Sequence, residues 1–275
     1  MKFKVISMTD NNYFENGKLF IETRKRINAD FRIYSPDLSE ENIQILKNNN
    51  IEHFKIDKNK FLKYMQFLKI NILEEELSSN LFREESDKYD LISFIDFDTF
   101  FINDWNQYVY SKDFDIAYTI RNDMIKKKCL RAFTNGGVIF AKQKSLNLLR
   151  EITNIIFIGD DDLLIEYDEI WKTLEDKNRP EHKRHTRKQL RWWVDQVISS
   201  AFYYKYLKEN KHNNKLEFVN YDYDRYKIGF FNCNKFNVLD SKPNIKKEKD
   251  IYIRHLKHHG RETLTGKKDI VREKI

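Results

Sequence analysis

The stretch SFIDFDTFFI, residues 93–102, places two carboxylates, Asp96 and Asp98, between two apolar runs. Residues i and i+2 of an extended strand point to the same side, so both side chains can be directed at one point. A continuous apolar run is typical of a strand buried on both faces, and open α/β sheets bind ligands at the carboxyl ends of their strands. Two unpaired carboxylates would repel, whereas a divalent cation would stabilise both charges. The stretch therefore indicates a metal site, with a solvated turn as the alternative.

The Asp-x-Asp spacing is not specific by itself, because the chain is rich in acidic residues and repeats it elsewhere. Only the copy at residues 96–98 directly follows one apolar run, LISFI, and directly precedes another, TFFI. The prediction therefore depends on these flanking runs and not on the spacing. The other copies are Asp113/Asp115, Asp160/Asp162 and Asp222/Asp224.

The composition is that of a globular protein. Of the 275 residues, 40% are hydrophobic and 15% aromatic, which is enough to bury a sizeable core. We find no repeat or linker, and with only 7 Gly and 3 Pro a single domain over residues 1–275 is expected. No stretch reaches the length of a membrane span, and no signal peptide is recognised. With two isolated cysteines, typical of free thiols, the sequence predicts a soluble, cytoplasmic protein.

The chain is basic, with a formal net charge of +7, which favours an anionic partner over a neutral one. The alternative is a surface that is merely rich in lysine. One segment, Lys177–Trp193, concentrates basic residues and histidines directly before two tryptophans. A polyanion is expected to bind at this segment.

Predicted strands and helices alternate along the chain, which indicates a mainly parallel sheet with helices on both sides. Ser39 is expected to cap the first of the predicted helices. The predicted strands cover residues 2–8, 31–37, 51–57, 91–95, 113–120, 134–142 and 251–254. The predicted helices cover residues 39–50, 60–79, 143–156 and 187–207.

Four segments in this order resemble those of the GT-A fold glycosyltransferases, which transfer a sugar from a nucleotide diphosphate. They are FIDFDTFFIND, FTNGGVIFAK, WWVDQVISSAF and IYIRHLKHHGRE, and only the first is individually specific. The resemblance, loosely to enzymes of the glycogenin and galactosyltransferase type, implies an α/β GT-A fold. It further implies that residues 1–110 form the nucleotide-binding part, and residues 111–275 the acceptor side with a carboxy-terminal metal-binding segment.

The resemblance implies a site for Mn²⁺ or Mg²⁺. In that family the last aspartate of the motif binds the cation together with the donor diphosphate, which matches Asp98. The first aspartate, which matches Asp96, contacts the ribose and is expected to share the metal. His255, directly after the strand-like IYIR, matches a histidine that completes the metal shell. Lys257 and Arg261 are expected to assist at the phosphates. The cation would neutralise charge on the departing nucleoside diphosphate, with UDP favoured.

The resemblance also implies contacts to the nucleotide of the donor. Thr9, Asp10 and Tyr13 follow the first strand, where these enzymes hold the nucleotide base. Lys69 is expected to reach the ribose or phosphate, although lysine on an amphipathic helix is usually solvated.

An NGG sequence is expected to lie beside the donor sugar. Two consecutive glycines would let the backbone approach the sugar with no side chain in between. The alternative is an ordinary turn before a strand. The three residues concerned are Asn135, Gly136 and Gly137.

An acid and an amide on the last predicted helix match the catalytic position of the family. Asp195 would act as general base in an inverting enzyme, and Asp195 or Gln196 would lie near the anomeric carbon in a retaining one. By sequence alone Asp195 would be a surface acid. Because the basic segment Lys177–Trp193 immediately precedes it, we expect an anionic acceptor, such as a glycan, a polymer or modified DNA.

Two other functions remain open at this point. Phosphatases of the haloacid-dehalogenase type also use Asp-x-Asp after an apolar strand, with the first aspartate as nucleophile. Their signature lies near the start of the core domain and has Thr or Val where Phe100 stands here. A nucleic-acid-binding protein would use the basic segment but would leave the carboxylate pair unexplained.

Overall fold

The computed structural model describes residues 1–126, 133–156, 194–213, 215, 217–239 and 251–255, without the side chains of residues 60–67, 123, 154–156, 194, 195, 197 and 239. The strands are β1 Phe3–Met8, β2 Asp30–Ser35, β3 Ile51–Lys55, β4 Leu91–Ile95, β5 Thr99–Phe101, β6 Ile116–Ile120, β7 Thr134–Ala141, β8 Phe218–Tyr223, β9 Tyr226–Asn232, β10 Val238–Leu239 and β11 Ile253–His255. The α-helices are α1 Lys18–Thr23, α2 Glu40–Asn48, α3 Lys58–Leu81, α4 Asn106–Tyr110, α5 Asn122–Lys126, α6 Leu146–Ile156, α7 Val194–Glu209 and α8 Cys233–Phe236.

Eight strands form one central sheet in the order β3-β2-β1-β4-β7-β6-β9-β8. The neighbours from β3 to β4 are parallel, and so are β6 and β9. Strand β7 is antiparallel to both of its neighbours, and β8 is antiparallel to β9. The prediction of an α/β fold with a mainly parallel sheet is confirmed. The β8–β9 hairpin was not predicted.

The strand before the motif is buried on both faces, as its apolar run predicted. Ile92 and Phe94 of β4 pack into the core layer that contains α3, α6 and α7. Leu91 and Ile95 pack into the opposite layer, which contains α1 and Trp105. Strand β4 therefore ends at a defined point, the carboxyl edge of the sheet, directly before Asp96.

A buried ion cluster fixes α3 to the sheet. Glu76 of α3 pairs with Lys4 of β1 at 2.8 Å, and both side chains are almost fully buried. The other oxygen of Glu76 accepts hydrogen bonds from Arg32 at 2.8 Å and from the hydroxyl of Tyr34. Arg32 also pairs with the exposed Glu52 at 2.6 Å. This ion cluster satisfies each buried charge and sets the position of α3 along β1 and β2.

Acid is expected to weaken the fold through this ion cluster. Burial by itself would raise the pKa of Glu76, but Lys4 and the neighbouring hydrogen bonds hold that pKa below its usual value. A depressed carboxyl pKa contributes stability above the unfolded-state pKa, and this contribution disappears as the pH falls through the folded-state pKa. Urea unfolding at a series of pH values from 7 down to 3 should show this loss. A Glu76→Gln variant should lack this part of the pH dependence, and an unchanged profile would contradict the assignment.

The described residues contain no helix that is long and apolar enough to cross a membrane. Ser39 caps α2 as predicted, because its hydroxyl accepts a hydrogen bond from the backbone N–H of Asn42 at 3.3 Å.

Candidate active site

The motif forms a tight turn at the end of β4. The backbone N–H of Asp96 donates to the carbonyl of Gly137 on β7 at 2.8 Å. The carbonyl of Asp96 accepts from the backbone N–H and the hydroxyl of Thr99, at 3.2 and 2.7 Å. These bonds tie residues 96–99 to the sheet and hold both aspartates at its carboxyl edge.

A second sheet brings His255 to the motif. Strands β10, β11 and β5 form this sheet, and His255 of β11 lies opposite Thr99 of β5. The Nε2 atom of His255 is 3.0 Å from Oδ1 of Asp98. A carboxylate oxygen of Asp96, a carboxylate oxygen of Asp98 and a ring nitrogen of His255 lie within 4.8 Å of one another. The three residues named from the sequence therefore meet in space, because β5 pairs with β11.

Asp98 is not a solvated acid of a surface turn. Asp98 is buried, and its carboxylate accepts from His255 and from the hydroxyl of Tyr13 at 2.7 Å. Burial would raise the pKa of Asp98, but His255, Tyr13 and Lys69 together lower it. Burial conversely would lower the pKa of His255, but the carboxylates of Asp98 and Asp96 raise it. Without a cation, the site therefore favours an ionised Asp98 beside a protonated His255.

Lys69 reaches the motif from α3. Its ammonium group lies 2.8 Å from Oδ1 of Asp96, and its side chain is buried, contrary to the usual solvated lysine of a surface helix. Because Glu76 lies two helical turns later on the same face, the buried ion cluster also directs Lys69 toward the sheet. Lys69 thus places a positive charge beside the two acids.

The loop after β1 also meets the motif. Thr9 is anchored by its backbone N–H, which donates to the carbonyl of Tyr34 at 3.0 Å. The carboxylate of Asp10 accepts from the backbone N–H of Tyr13 at 2.7 Å, which shapes the loop. Tyr13 as a whole is 36% exposed while its hydroxyl donates to Asp98, so the residue lies at the protein surface beside the site.

The NGG residues Asn135, Gly136 and Gly137 lie on β7 beside Asp96 and are not an ordinary turn, because all three are buried within the strand. The side-chain oxygen of Asn135 accepts from the backbone N–H of Gly137 at 2.9 Å. A Cβ atom on Gly137 would lie 2.7 Å from Oδ2 of Asp96, 3.1 Å from Nδ2 of Asn237 and 3.2 Å from Oδ1 of Asn135. Because residue 137 has no side chain, the side chains of Asp96, Asn135 and Asn237 can approach one another at this point.

Gly136 lies in an irregular part of β7. Tyr118 of β6 is opposite Ile139, but the next residue, Thr119, is already opposite Asn135. The part of β7 between Asn135 and Ile139, which includes Gly136, therefore bulges relative to β6, and glycine is typical of such bulges. The alternative of a turn is wrong for Gly136, since the residue lies inside a strand. Its expected place beside the donor sugar stays a prediction.

We expect Gly137→Ala to disturb the site without unfolding the protein. The added methyl group would displace the carboxylate of Asp96, since 2.7 Å is shorter than carbon–oxygen contacts in proteins. Mn²⁺ binding, followed by electron paramagnetic resonance, should weaken at least tenfold. Thermal unfolding serves as the control and should shift by only a few degrees. Unchanged Mn²⁺ binding would show that Asp96 has room to move.

A buried cluster of hydroxyl groups joins α7 to β7. The hydroxyl of Thr134 lies 2.6 Å from that of Ser199, 2.9 Å from that of Ser200 and 3.1 Å from the carbonyl of Gln196. This hydroxyl cluster connects the first turns of α7 to the residue next to Asn135. The backbones of Asp195 and Gln196 are thereby held near the carboxyl edge of the sheet, although the side chain of Asp195 lies outside the described part.

Removal of the central hydroxyl should cost stability. Thr134→Val keeps the shape but leaves the hydroxyls of Ser199 and Ser200 with fewer partners, which typically costs about 1–3 kcal/mol. The free energy of unfolding in urea measures this loss. Thr134→Ser is the matched control and should retain most of the stability. Equal stability of Thr134→Val and the wild type would contradict a stabilising role of the hydroxyl cluster.

Some predicted positions lie outside the described residues. These are Lys257, Arg261 and the basic segment Lys177–Trp193.

One residue of the site, Asn237, contacts His255 in the structure and was missed by the sequence analysis. Its only signal was a polar residue between the core residues Phe236 and Val238.

The donor atoms of the three motif residues fit a divalent cation of the Mn²⁺ or Mg²⁺ kind. Two carboxylates and one imidazole nitrogen form a mixed oxygen and nitrogen set, which suits Mn²⁺ well and Mg²⁺ through its oxygens. The described residues of this site include no cysteine, so the site differs from structural zinc sites that bind the metal through thiolates.

Comparison with known proteins supports the fold. No family model and no curated protein matches the chain. Among solved structures, an active-site mutant of LgtC aligns with a TM-score of 0.51 at 11% identity, over 93% of this chain and 87% of that one. The chain has the GT-A glycosyltransferase fold. The bifunctional glycosyltransferase WbbM, solved in its apo form, aligns with a TM-score of 0.51 at 12% identity, over 94% of this chain and 46% of that one. In this GT-A fold the motif and His255 occupy the carboxyl edge of the central sheet.

Proposed function

We propose that the protein is a glycosyltransferase that moves a sugar from a nucleotide diphosphate, with UDP favoured, to an acceptor hydroxyl. The observation that carries this proposal is the convergence of Asp96, Asp98 and His255 at the carboxyl edge of a GT-A sheet. Bound there, Mn²⁺ or Mg²⁺ would supply Lewis-acid stabilisation of the departing diphosphate. The three side chains would hold the cation.

The residues around the motif are proposed to bind the nucleotide of the donor. Tyr13, which lies at the protein surface beside the motif, is proposed to contact the base, and Thr9 and Asp10 fix its loop. The ammonium of Lys69 would bind a phosphate or ribose oxygen in exchange for Asp96.

Two further groups of residues are proposed to complete the donor site. The NGG residues Asn135, Gly136 and Gly137 would lie along the donor sugar, where the two glycines present backbone and no side chain. Lys257 and Arg261 are proposed to assist at the phosphates, because they follow His255 directly in the chain.

Asp195 and Gln196 are proposed to act at the sugar. The hydroxyl cluster holds the start of α7 beside Asn135, which supports this assignment. Asp195 would accept the proton of the acceptor hydroxyl in an inverting reaction, or one of the pair would stabilise the anomeric centre in a retaining one. We propose that residues 1–275 work as one domain, with residues 1–110 holding the nucleotide and residues 111–275 the acceptor.

The acceptor is proposed to be anionic, because the basic segment Lys177–Trp193 directly precedes Asp195 in the chain. A glycan, a polymer or modified DNA would each satisfy this chemistry. Acceptor binding should then weaken steeply as salt is raised, while donor binding changes little. Salt-insensitive transfer would contradict an anionic acceptor.

Donor hydrolysis tests the proposed reaction without knowledge of the acceptor. The protein is incubated with a panel of nucleotide sugars and Mn²⁺, Mg²⁺ or EDTA, and the released nucleoside diphosphate is measured. Release of one diphosphate that requires the cation would support the proposal and identify the donor. No release across the panel, with no nucleotide or cation raising the melting temperature, would overturn it and favour the nucleic-acid-binding alternative.

A further inference from the structure

One buried amide next to the proposed metal site is not explained by donor binding. Asn237 is 1% exposed, and its side-chain oxygen lies 2.8 Å from Nδ1 of His255. The opposite ring nitrogen, Nε2, faces Asp98 at 3.0 Å. The imidazole is therefore held at both ring nitrogens, by Asn237 at Nδ1 and by Asp98 at Nε2.

The backbone explains why Asn237 occupies this position. Its N–H donates to the carbonyl of Cys233 at 3.1 Å and closes α8. The chain then enters β10, in which Val238 pairs with Arg254 in parallel register, immediately before His255. The same small sheet pairs His255 with Thr99. The three-stranded sheet thus brings Asn237 and the motif next to His255.

The direction of the hydrogen bond determines which ring nitrogen can bind a metal. A side-chain carbonyl can only accept, so the contact places a proton on Nδ1 of His255. Without a cation, Nε2 donates to Asp98. Once a cation has displaced that proton, an imidazole that keeps its proton on Nδ1 has its lone pair on Nε2, the nitrogen beside Asp98 and Asp96. Hydrogen bonds of this kind orient histidine ligands in metal sites, and their loss typically lowers metal affinity by about 10–100-fold.

We propose that Asn237 is a positioning residue, which fixes the ring orientation of His255 and keeps its Nε2 directed at the cation. The inference rests on the proposed function, because it assumes a cation at Asp96, Asp98 and His255. Asn237 would act through His255 and not as a ligand of the cation. Its amide nitrogen has no hydrogen-bond partner among the described residues, so the histidine contact is the polar interaction that holds this side chain.

Mn²⁺ titration followed by electron paramagnetic resonance, with and without UDP, tests the proposal. Asn237→Ala should bind Mn²⁺ about 10–100-fold more weakly than the wild type. Asn237→Asp keeps an acceptor for the Nδ1 proton and should restore affinity to within a few-fold. Asn80→Ala is the matched control, because Asn80 is equally buried but bonds to Tyr89 near the start of β4, and it should leave Mn²⁺ binding unchanged.

The outcomes separate this inference from the proposed function. If the wild type binds no Mn²⁺ under either condition, the proposed metal site is wrong and the inference falls with it. If the wild type binds Mn²⁺ and Asn237→Ala binds it equally well, only the inference is overturned. Should Asn237→Ala not fold, the nitrogen shifts of His255 in the Mg²⁺-bound wild type decide. A protonated Nδ1 with an unprotonated Nε2 would support the inference, and an unprotonated Nδ1 would overturn it.

Discussion

Asp98→Asn is expected to abolish metal-dependent donor hydrolysis while the fold persists. The substitution keeps the size of the side chain and an oxygen that can accept from Tyr13, so the packing around it should survive. It removes the negative charge that the proposed cation needs. Electrostatic stabilisation of a leaving diphosphate is worth several kcal/mol, and a loss of about 4 kcal/mol corresponds to roughly a thousandfold in rate.

The comparison requires a control that makes the same chemical change elsewhere. Asp222→Asn alters another copy of the Asp-x-Asp spacing, on the edge strand β8 of the central sheet. Its kcat, KM and Mn²⁺ requirement should match those of the wild type. If Asp98→Asn retained most of its metal-dependent activity with unchanged Mn²⁺ affinity, the assignment of Asp98 as a metal ligand would be wrong.

The sequence predicted the central part of the site because local pattern and chain order both pointed to it. The apolar runs around Asp96 and Asp98 placed them at the end of a buried strand, and the strand-like IYIR placed His255 at the end of another. The spatial meeting of these two ends depends on the pairing of β11 with β5, which the family order implied and periodicity alone cannot give. Both carboxylates and the imidazole could therefore be named from the sequence.

Residues whose role depends on a tertiary contact were harder to predict. Lysine on a helix is usually solvated, so burial of Lys69 against Asp96 contradicts its ordinary behaviour. Asn237 is one of many asparagines in the chain, and only the geometry of α8 and β10 gives it a role. The β8–β9 hairpin turns at Asp224, which has a φ of 51°, and an Asp-Arg turn lacks the Asn-Gly signal typical of such hairpins.

Glu76→Ala is expected to have the largest effect on stability. Removal of the carboxylate leaves Lys4 charged and almost fully buried without its partner, and the hydroxyl of Tyr34 also loses its acceptor. Breaking a buried pair in this way typically costs about 3–5 kcal/mol, a large part of the stability of an ordinary domain. The urea midpoint should fall accordingly, with an unchanged dependence on urea concentration.

Two further variants distinguish a buried ion cluster from ordinary surface charge. Glu52→Ala removes the other acid that pairs with Arg32, but its side chain is 61% exposed and the loss should stay below about 1 kcal/mol. Lys4→Met combined with Glu76→Leu replaces the pair by apolar groups and should recover part of the loss, because no unpaired Lys4 charge remains and Arg32 keeps Glu52, although Tyr34 still loses its acceptor. If Glu76→Ala and Glu52→Ala destabilised the protein equally, burial would not be the cause. Because Glu76 supplies no ligand to the proposed cation, the folded fraction of Glu76→Ala should still bind Mn²⁺, whereas Asp98→Asn should remain folded and lose that binding.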